Sequence, residues 1–179
     1  MQTNQKRIQR MSRLFCNLFT IGLYTLPLIP AIFWLGFNYL PTELQSQLGS
    51  YSVQGPLPLN SRLLALVGTI PSTLVLVFSL LSLRTLFSLY GQNIYFQHQN
   101  IDQYKRLGKL AVWSVLGDVF SKTVLSVALS INNPPGQRML SIGFSSDHLK
   151  LLIVSGIILV IAMVMEEAKQ LKEEHQLTV

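Results

Sequence analysis

The sequence predicts an all-α fold, a four-helix transmembrane bundle, and three observations indicate this fold class. Four long apolar runs divide the 179-residue chain. Hydrophobic residues make up 49% of the chain and charged residues only 12%, so a soluble fold of this size would lack the polar residues to cover its surface. Basic residues concentrate in alternate connections between the runs, as is typical of helical membrane proteins.

Each run is long enough to cross a hydrocarbon core about 30 Å thick, because a helix rises about 1.5 Å per residue. We therefore expect a single integral membrane domain over residues 1–179. Proline lacks the N–H that a helix interior needs, so Pro27 and Pro30 should kink or loosen the first helix and Pro71 the second. The four helices are expected at about 14–40, 63–83, 110–131 and 149–168.

The distribution of Lys and Arg predicts that both termini are cytoplasmic. Ten of the fourteen basic residues precede the first run, follow the fourth, or lie between the second and third, and three lie on the opposite side. This asymmetry is the excess of positive charge that marks cytoplasmic segments. The net charge of +6 is then explained by topology and anionic lipid headgroups. We expect the lipid bilayer as partner and no direct contact with nucleic acid.

The third run carries the one group of residues that indicates chemistry. Polar residues recur there at every fourth position, so they form one stripe on a helix face. An unpaired Asp or Lys at the bilayer centre costs roughly 2.5–3.5 kcal/mol, so Asp118 and Lys122 should pair with each other or meet another helix. Ser130 continues the stripe. The candidate intramembrane polar site is Ser114, Asp118, Ser121, Lys122 and Ser126.

Three interpretations of this stripe remain open. The Asp118/Lys122 pair is a salt bridge that fixes helix packing, or the carboxylate carries a proton or cation, or the site senses a ligand or signal. Four helices alone enclose little space, so conduction would require a homo-oligomer. No metal site is expected, because His98, His148 and His175 are scattered and are interpreted as solvated surface histidines.

Polar segments are predicted to extend two helices beyond the membrane. Asn100 followed by Gln103 indicates an N-cap with its returning partner, which starts the third helix early. Strong helix formers continue the fourth helix over 166–175, with Lys169 and Glu173 one turn apart. The candidate cytoplasmic contacts are Phe96, Asn100, Arg106, Leu171 and Leu177.

Two of these segments resemble a known family. The stretch LYGQNIYFQHQNIDQYKRLGKL (89–110) has an aromatic, a glycine, an Ile-x-Phe pair, an asparagine and a Lys-Arg-Leu-Gly segment, and MEEAKQLKEEHQLTV (165–179) closes on Leu-Thr-Val. Both are similar to the bacterial domain of unknown function 2975, although Tyr95 and His98 depart from its usual inner motif. The resemblance implies a four-helix bacterial inner-membrane protein, often encoded beside a small helix-turn-helix regulator, with no established activity.

The leading hypothesis is therefore a multi-pass protein of the bacterial cytoplasmic membrane with a non-enzymatic regulatory, sensing or interaction role through its cytoplasmic segments. The alternative is a small transporter or channel subunit that uses Asp118 and Lys122. No protease, nucleophile-elbow or phosphate-loop motif is present, so no catalytic residue and no cofactor are expected.

Overall fold

The structure, a computed structural model, describes residues 2–46, 56–95 and 97–177. All regular secondary structure in this part of the chain is helical. The elements are α1 (Gln2–Thr25), α2 (Leu28–Leu35), a 3₁₀ turn (Phe37–Tyr39), α3 (Thr42–Ser46), α4 (Leu59–Gly91), α5 (His98–Ser130) and α6 (Ser146–Leu177).

Within the described residues, four helical segments are long and apolar enough to cross a membrane, which confirms the predicted all-α membrane architecture. The first segment combines α1 and α2, and the other three lie in α4, α5 and α6. The side of the membrane on which the termini lie stays a prediction. The four segments are Gln5–Leu35, Leu59–Gly91, His98–Ser130 and Ser146–Leu171.

The first segment is interrupted at a proline. Helix α1 ends at Thr25 and α2 begins at Leu28, directly after Pro27. Because proline has no N–H, Pro27 cannot donate to the carbonyl four residues earlier, and the helix stops there. The break agrees with the kink expected at Pro27, but the one helix expected over 14–40 is two helices and a 3₁₀ turn, and α1 begins earlier, at Gln2. Helix α4, in contrast, continues through Pro71.

The four long helices pack side by side in the order α1, α4, α5, α6. The short helix α2 also packs on α4. Neighbours are antiparallel, since Tyr90 at the end of α4 bonds to Tyr104 near the start of α5, and Lys105 bonds to Glu166 late in α6. A Cβ added at Gly91, at the end of α4, would lie 3.8 Å from Ser12 in the first half of α1. The start of α1 and the end of α6 therefore lie at one end of the row, which we call the terminal end. The opposite end, with residues 131–145, is the loop end.

Two glycines allow close helix contact on either side of α5. A Cβ added at Gly68 of α4 would lie 2.6 Å from Val124, and one at Gly108 of α5 would lie 2.6 Å from Leu159 of α6. Small residues of this kind let membrane helices approach closely. Ser155 of α6 uses this proximity, because its hydroxyl donates to the Gly108 carbonyl at 2.7 Å. Helix α5 is therefore held firmly between α4 and α6.

The α4–α5 connection differs from the sequence prediction in one respect. Helix α5 does begin before its apolar run, but Asn100 is not its N-cap. Its side chain is fully buried and donates to the Ile94 carbonyl at 3.1 Å. Asn100 therefore stabilises the connection and is not available as a contact for a partner. Phe96 lies outside the described residues. Helix α6 extends to Leu177, and the expected Lys169–Glu173 pair forms at 3.3 Å.

Candidate functional site

Asp118 and Lys122 form the ion pair that the polar stripe predicted. They lie on consecutive turns of α5, and Lys122 Nζ is 2.7 Å from Asp118 Oδ2. Asp lies before Lys along the helix, which is the favourable order for a pair at this spacing. The pair lines a cavity together with Ser72, Val75 and Ser79 of α4. These three residues lie in the middle of the apolar run of α4.

A third side chain, His148 of α6, completes the cluster. Its Nε2 lies 2.6 Å from the same Oδ2 atom of Asp118, and the residue is only 4% exposed. The interpretation of His148 as a solvated surface histidine was therefore wrong. Its position directly before the apolar run of α6 was the signal that could have identified it, because a polar group there needs a partner.

Backbone contacts fix the tautomer of His148. The Ser145 N–H donates to Nδ1 at 3.0 Å, and the His148 N–H donates to the Ser145 carbonyl at 3.0 Å. A nitrogen that accepts a hydrogen bond carries no proton, so the proton of the neutral ring lies on Nε2 and is donated to Asp118. His148 is the third residue of α6, and this reciprocal pattern closes the first turn much as a capping box does.

The cluster opens into a cavity of about 710 Å³ between α4 and α6, with α5 behind it. Asp118 and Lys122 line the cavity, and their side chains are 40% and 41% exposed. Within the described chain both donors bind Oδ2, so Oδ1 and the remaining Lys122 protons are available to a molecule in the cavity. The apolar lining consists of Val75, Leu76, Leu83, Leu107, Ala111, Leu151, Val154 and Ile158.

The serines of the stripe divide into two groups. Ser114 lines the cavity, and its hydroxyl donates to the Ala111 carbonyl. Ser121 bonds to Ser72 of α4 at 2.8 Å. Ser126 and Ser130 accept the backbone N–H groups of Ser141 and Met139, each at 3.0 Å. Three of the predicted site residues, Ser114, Asp118 and Lys122, therefore come together at the cavity, whereas Ser121 and Ser126 hold neighbouring segments.

The terminal end carries the other predicted contacts. Lys105 lies 2.7 Å from both carboxylate oxygens of Glu166, which joins α5 to α6. The Arg106 guanidinium lies 5.9 Å from the centre of the Phe78 ring, within cation–π range. Leu171 is 50% exposed. The Leu177 side chain lies outside the described part of the structure, so Arg106 and Leu171 are the candidates found at the surface.

Among the described residues no group of three His, Cys, Asp or Glu side chains could hold a metal ion. The site is instead a hydrogen-bonded triad of one carboxylate, one ammonium and one imidazole. Such a group can bind a polar ligand group or exchange a proton with it.

This fold and this site define a small multi-pass α-helical membrane protein with an ion cluster inside its helix row. A family model described as protein of unknown function (DUF2975) matches residues 24–179. The chain therefore belongs to the DUF2975 family. No curated protein and no solved structure is significantly similar to it.

Proposed function

We propose that the protein is a non-enzymatic membrane regulator that senses a small amphipathic molecule in the α4/α6 cavity. The observation that carries this proposal is the opening of the Asp118, Lys122 and His148 cluster into a largely apolar cavity. The polar end would hold a headgroup while the apolar walls cover a hydrocarbon body. The family resemblance supports a location in the bacterial inner membrane and a small helix-turn-helix regulator as partner.

The exposure of the ion pair supports a ligand more than a purely structural role. A salt bridge that only fixes packing is most effective when its remaining polar atoms are also satisfied. Here about two-fifths of each side chain is exposed, and the exposed part faces the cavity. Oδ1 of Asp118 and the remaining protons of Lys122 supply one acceptor and a set of donors at the wall of this cavity.

The contacts between α5 and α6 could couple ligand binding in the cavity to a conformational change at the terminal end. His148 joins the two helices at the cavity, Ser155 joins them at Gly108, and Lys105 joins them at Glu166. A ligand that binds one arrangement of α6 against α5 more tightly would favour that arrangement along the whole pair. Arg106 and Leu171 would then present a different surface to the partner.

The test is a search for a molecule that copurifies with the protein. Native mass spectrometry of the full chain should detect a bound amphiphile, and Val154→Trp, which fills the cavity wall, should remove it. Val160→Trp is the matched control, since Val160 is similarly exposed on α6 but does not line the cavity. Retention of the amphiphile in Val154→Trp would contradict the proposal.

The second candidate is a transporter or channel subunit. The availability of Asp118 Oδ1 to the cavity favours it, because a carboxylate oxygen without a fixed donor can take up a proton or cation. Liposomes with the purified protein distinguish the two functions. Proton or cation flux that is lost in Asp118→Asn would support transport, whereas an absence of flux together with a bound amphiphile would support sensing.

A further inference from the structure

A second polar surface, separate from the ion cluster, follows the seam between α1 and α4. On α1, polar residues recur at spacings of three and four, which places them on one helix face. On α4, Arg84 and Ser88 lie one turn apart, and Gln92 follows the helix end. We call this surface the basic seam. Its α1 residues are Lys6, Arg10, Arg13, Asn17 and Thr20.

The basic seam is a row of three adjoining cavities of about 450, 370 and 340 Å³, and all three include Asn17 in their lining. The first and third lie between α1 and α4, and the second is lined by α1 alone. Arg84 lines the largest cavity, Lys6 and Arg10 line the second, and Arg13 lines the second and third. Four cations on two helices therefore line adjoining cavities.

These four cations have no ionic partners among the described residues. Helices α1 and α4 contain no Asp or Glu, and none of the ion pairs in the described chain includes a residue of the seam. Four lysines of α5 and α6, in contrast, each have a carboxylate partner. The seam thus concentrates uncompensated positive charge at one place on the molecule.

We propose that the basic seam binds the phosphate group of an anionic phospholipid. Arg13 lies directly before Leu14, where the first apolar run begins, and Arg84 lies directly after Leu83, where the second run ends. Lipid phosphates lie at the level of such run ends. Guanidinium groups match the oxygens of a phosphate group. Asn17 and Thr20 continue the stripe into the membrane-spanning part. The Thr20 hydroxyl donates to the Cys16 carbonyl, whereas the Asn17 side-chain amide can donate to ester oxygens.

The position of the basic seam explains why a lipid fits better than free phosphate. Leu14, Leu18 and Ile21 lie beside the polar stripe on α1 and are 58–61% exposed. Acyl chains of a lipid whose phosphate lies in the seam would cover these side chains, and inorganic phosphate would leave them uncovered. A cytoplasmic excess of positive charge requires only that cations lie on one side. It does not require them to line adjoining cavities.

The experiment measures lipid binding to the full chain in neutral detergent by native mass spectrometry. Phosphatidylglycerol, phosphatidylcholine with the same acyl chains, and inorganic phosphate are titrated in parallel. Each cation near an anionic lipid contributes about fivefold to affinity, so Arg13→Gln/Arg84→Gln should weaken phosphatidylglycerol binding roughly thirtyfold. Arg13→Lys/Arg84→Lys, which keeps the charge, should recover most of this loss.

The matched control is Arg7→Gln/Lys109→Gln. It removes the same charge from the terminal end, but neither residue lines the seam. We expect less than a threefold change in this variant. An equal loss in the control, equal binding of phosphatidylcholine, or inorganic phosphate binding as tightly as the lipid would each overturn the proposal.

Discussion

The strongest test of the ion cluster is the replacement of Asp118, because this carboxylate accepts from two donors at once. Removing one partner of a buried ion pair costs about 3–5 kcal/mol, and we halve this to ~2 kcal/mol because the Asp118 and Lys122 side chains are about two-fifths exposed. The buried Nε2–H of His148 loses its acceptor as well, which adds roughly 2 kcal/mol. We therefore expect Asp118→Leu to lower the free energy of unfolding by about 4 kcal/mol.

Lys122→Met in the Asp118→Leu background separates the two contributions. The double variant contains no unpaired charge, so it should recover about 2 kcal/mol relative to Asp118→Leu. It should still remain about 2 kcal/mol below the wild type, because Ser145 holds His148 in the tautomer whose Nε2–H then has no acceptor. The free energy of unfolding is measured by SDS titration in mixed micelles, followed by far-UV circular dichroism.

Two outcomes would refute this reasoning. A double variant as stable as the wild type would mean that the His148 bond contributes nothing to stability. A double variant no more stable than Asp118→Leu would mean that the two charges are not coupled. Ser114→Ala is the control within the same cavity, and it should change the unfolding free energy by less than about 0.5 kcal/mol, since its hydroxyl bonds only to its own helix.

The remaining predictions concern topology, the tail and helix packing. A phosphatase fusion after residue 136 should be active and one after residue 179 inactive if the terminal end is cytoplasmic; activity at 179 would contradict this topology. Removal of residues 171–179 should leave membrane insertion intact but abolish copurification of a cytoplasmic partner. An unchanged pull-down would show that the tail is not needed for partner binding. Gly108→Ala should lower the unfolding free energy by about 1–3 kcal/mol through its clash with α6. Gly156→Ala, which meets no atom within 4 Å, should not lower it.

The sequence predicted the helices well because their signal is physical and local. A long apolar run such as the one between Leu63 and Leu83 has few alternatives to a membrane helix. The helix ends were less accurate, since α4 extends over Leu59–Gly91 and polar residues at its ends join the helix once neighbouring helices bond to them. Tyr90 is such a residue, through its bond to Tyr104.

Two of the three residues of the ion cluster could be predicted, and the third could not. Asp118 and Lys122 lie one turn apart on one helix, so their pairing follows from local geometry. His148 is 30 residues further along the chain, and its contact depends on where residues 131–145 return to α5. The basic seam was missed for a related reason. Arg13 and Arg84 were treated only as indicators of topology, and their convergence requires the packing of α1 on α4.

The fixed tautomer of His148 has a mechanical consequence. Its Nδ1 accepts the Ser145 N–H, and its Nε2–H is donated to Asp118, so the ring has no free site for an incoming proton. A proton could pass through this imidazole only after the Ser145 bond breaks and the first turn of α6 opens. His148 therefore couples proton access to helix structure. While the first turn of α6 is closed, the imidazole holds the start of α6 against α5, and proton movement through the imidazole requires that turn to unwind.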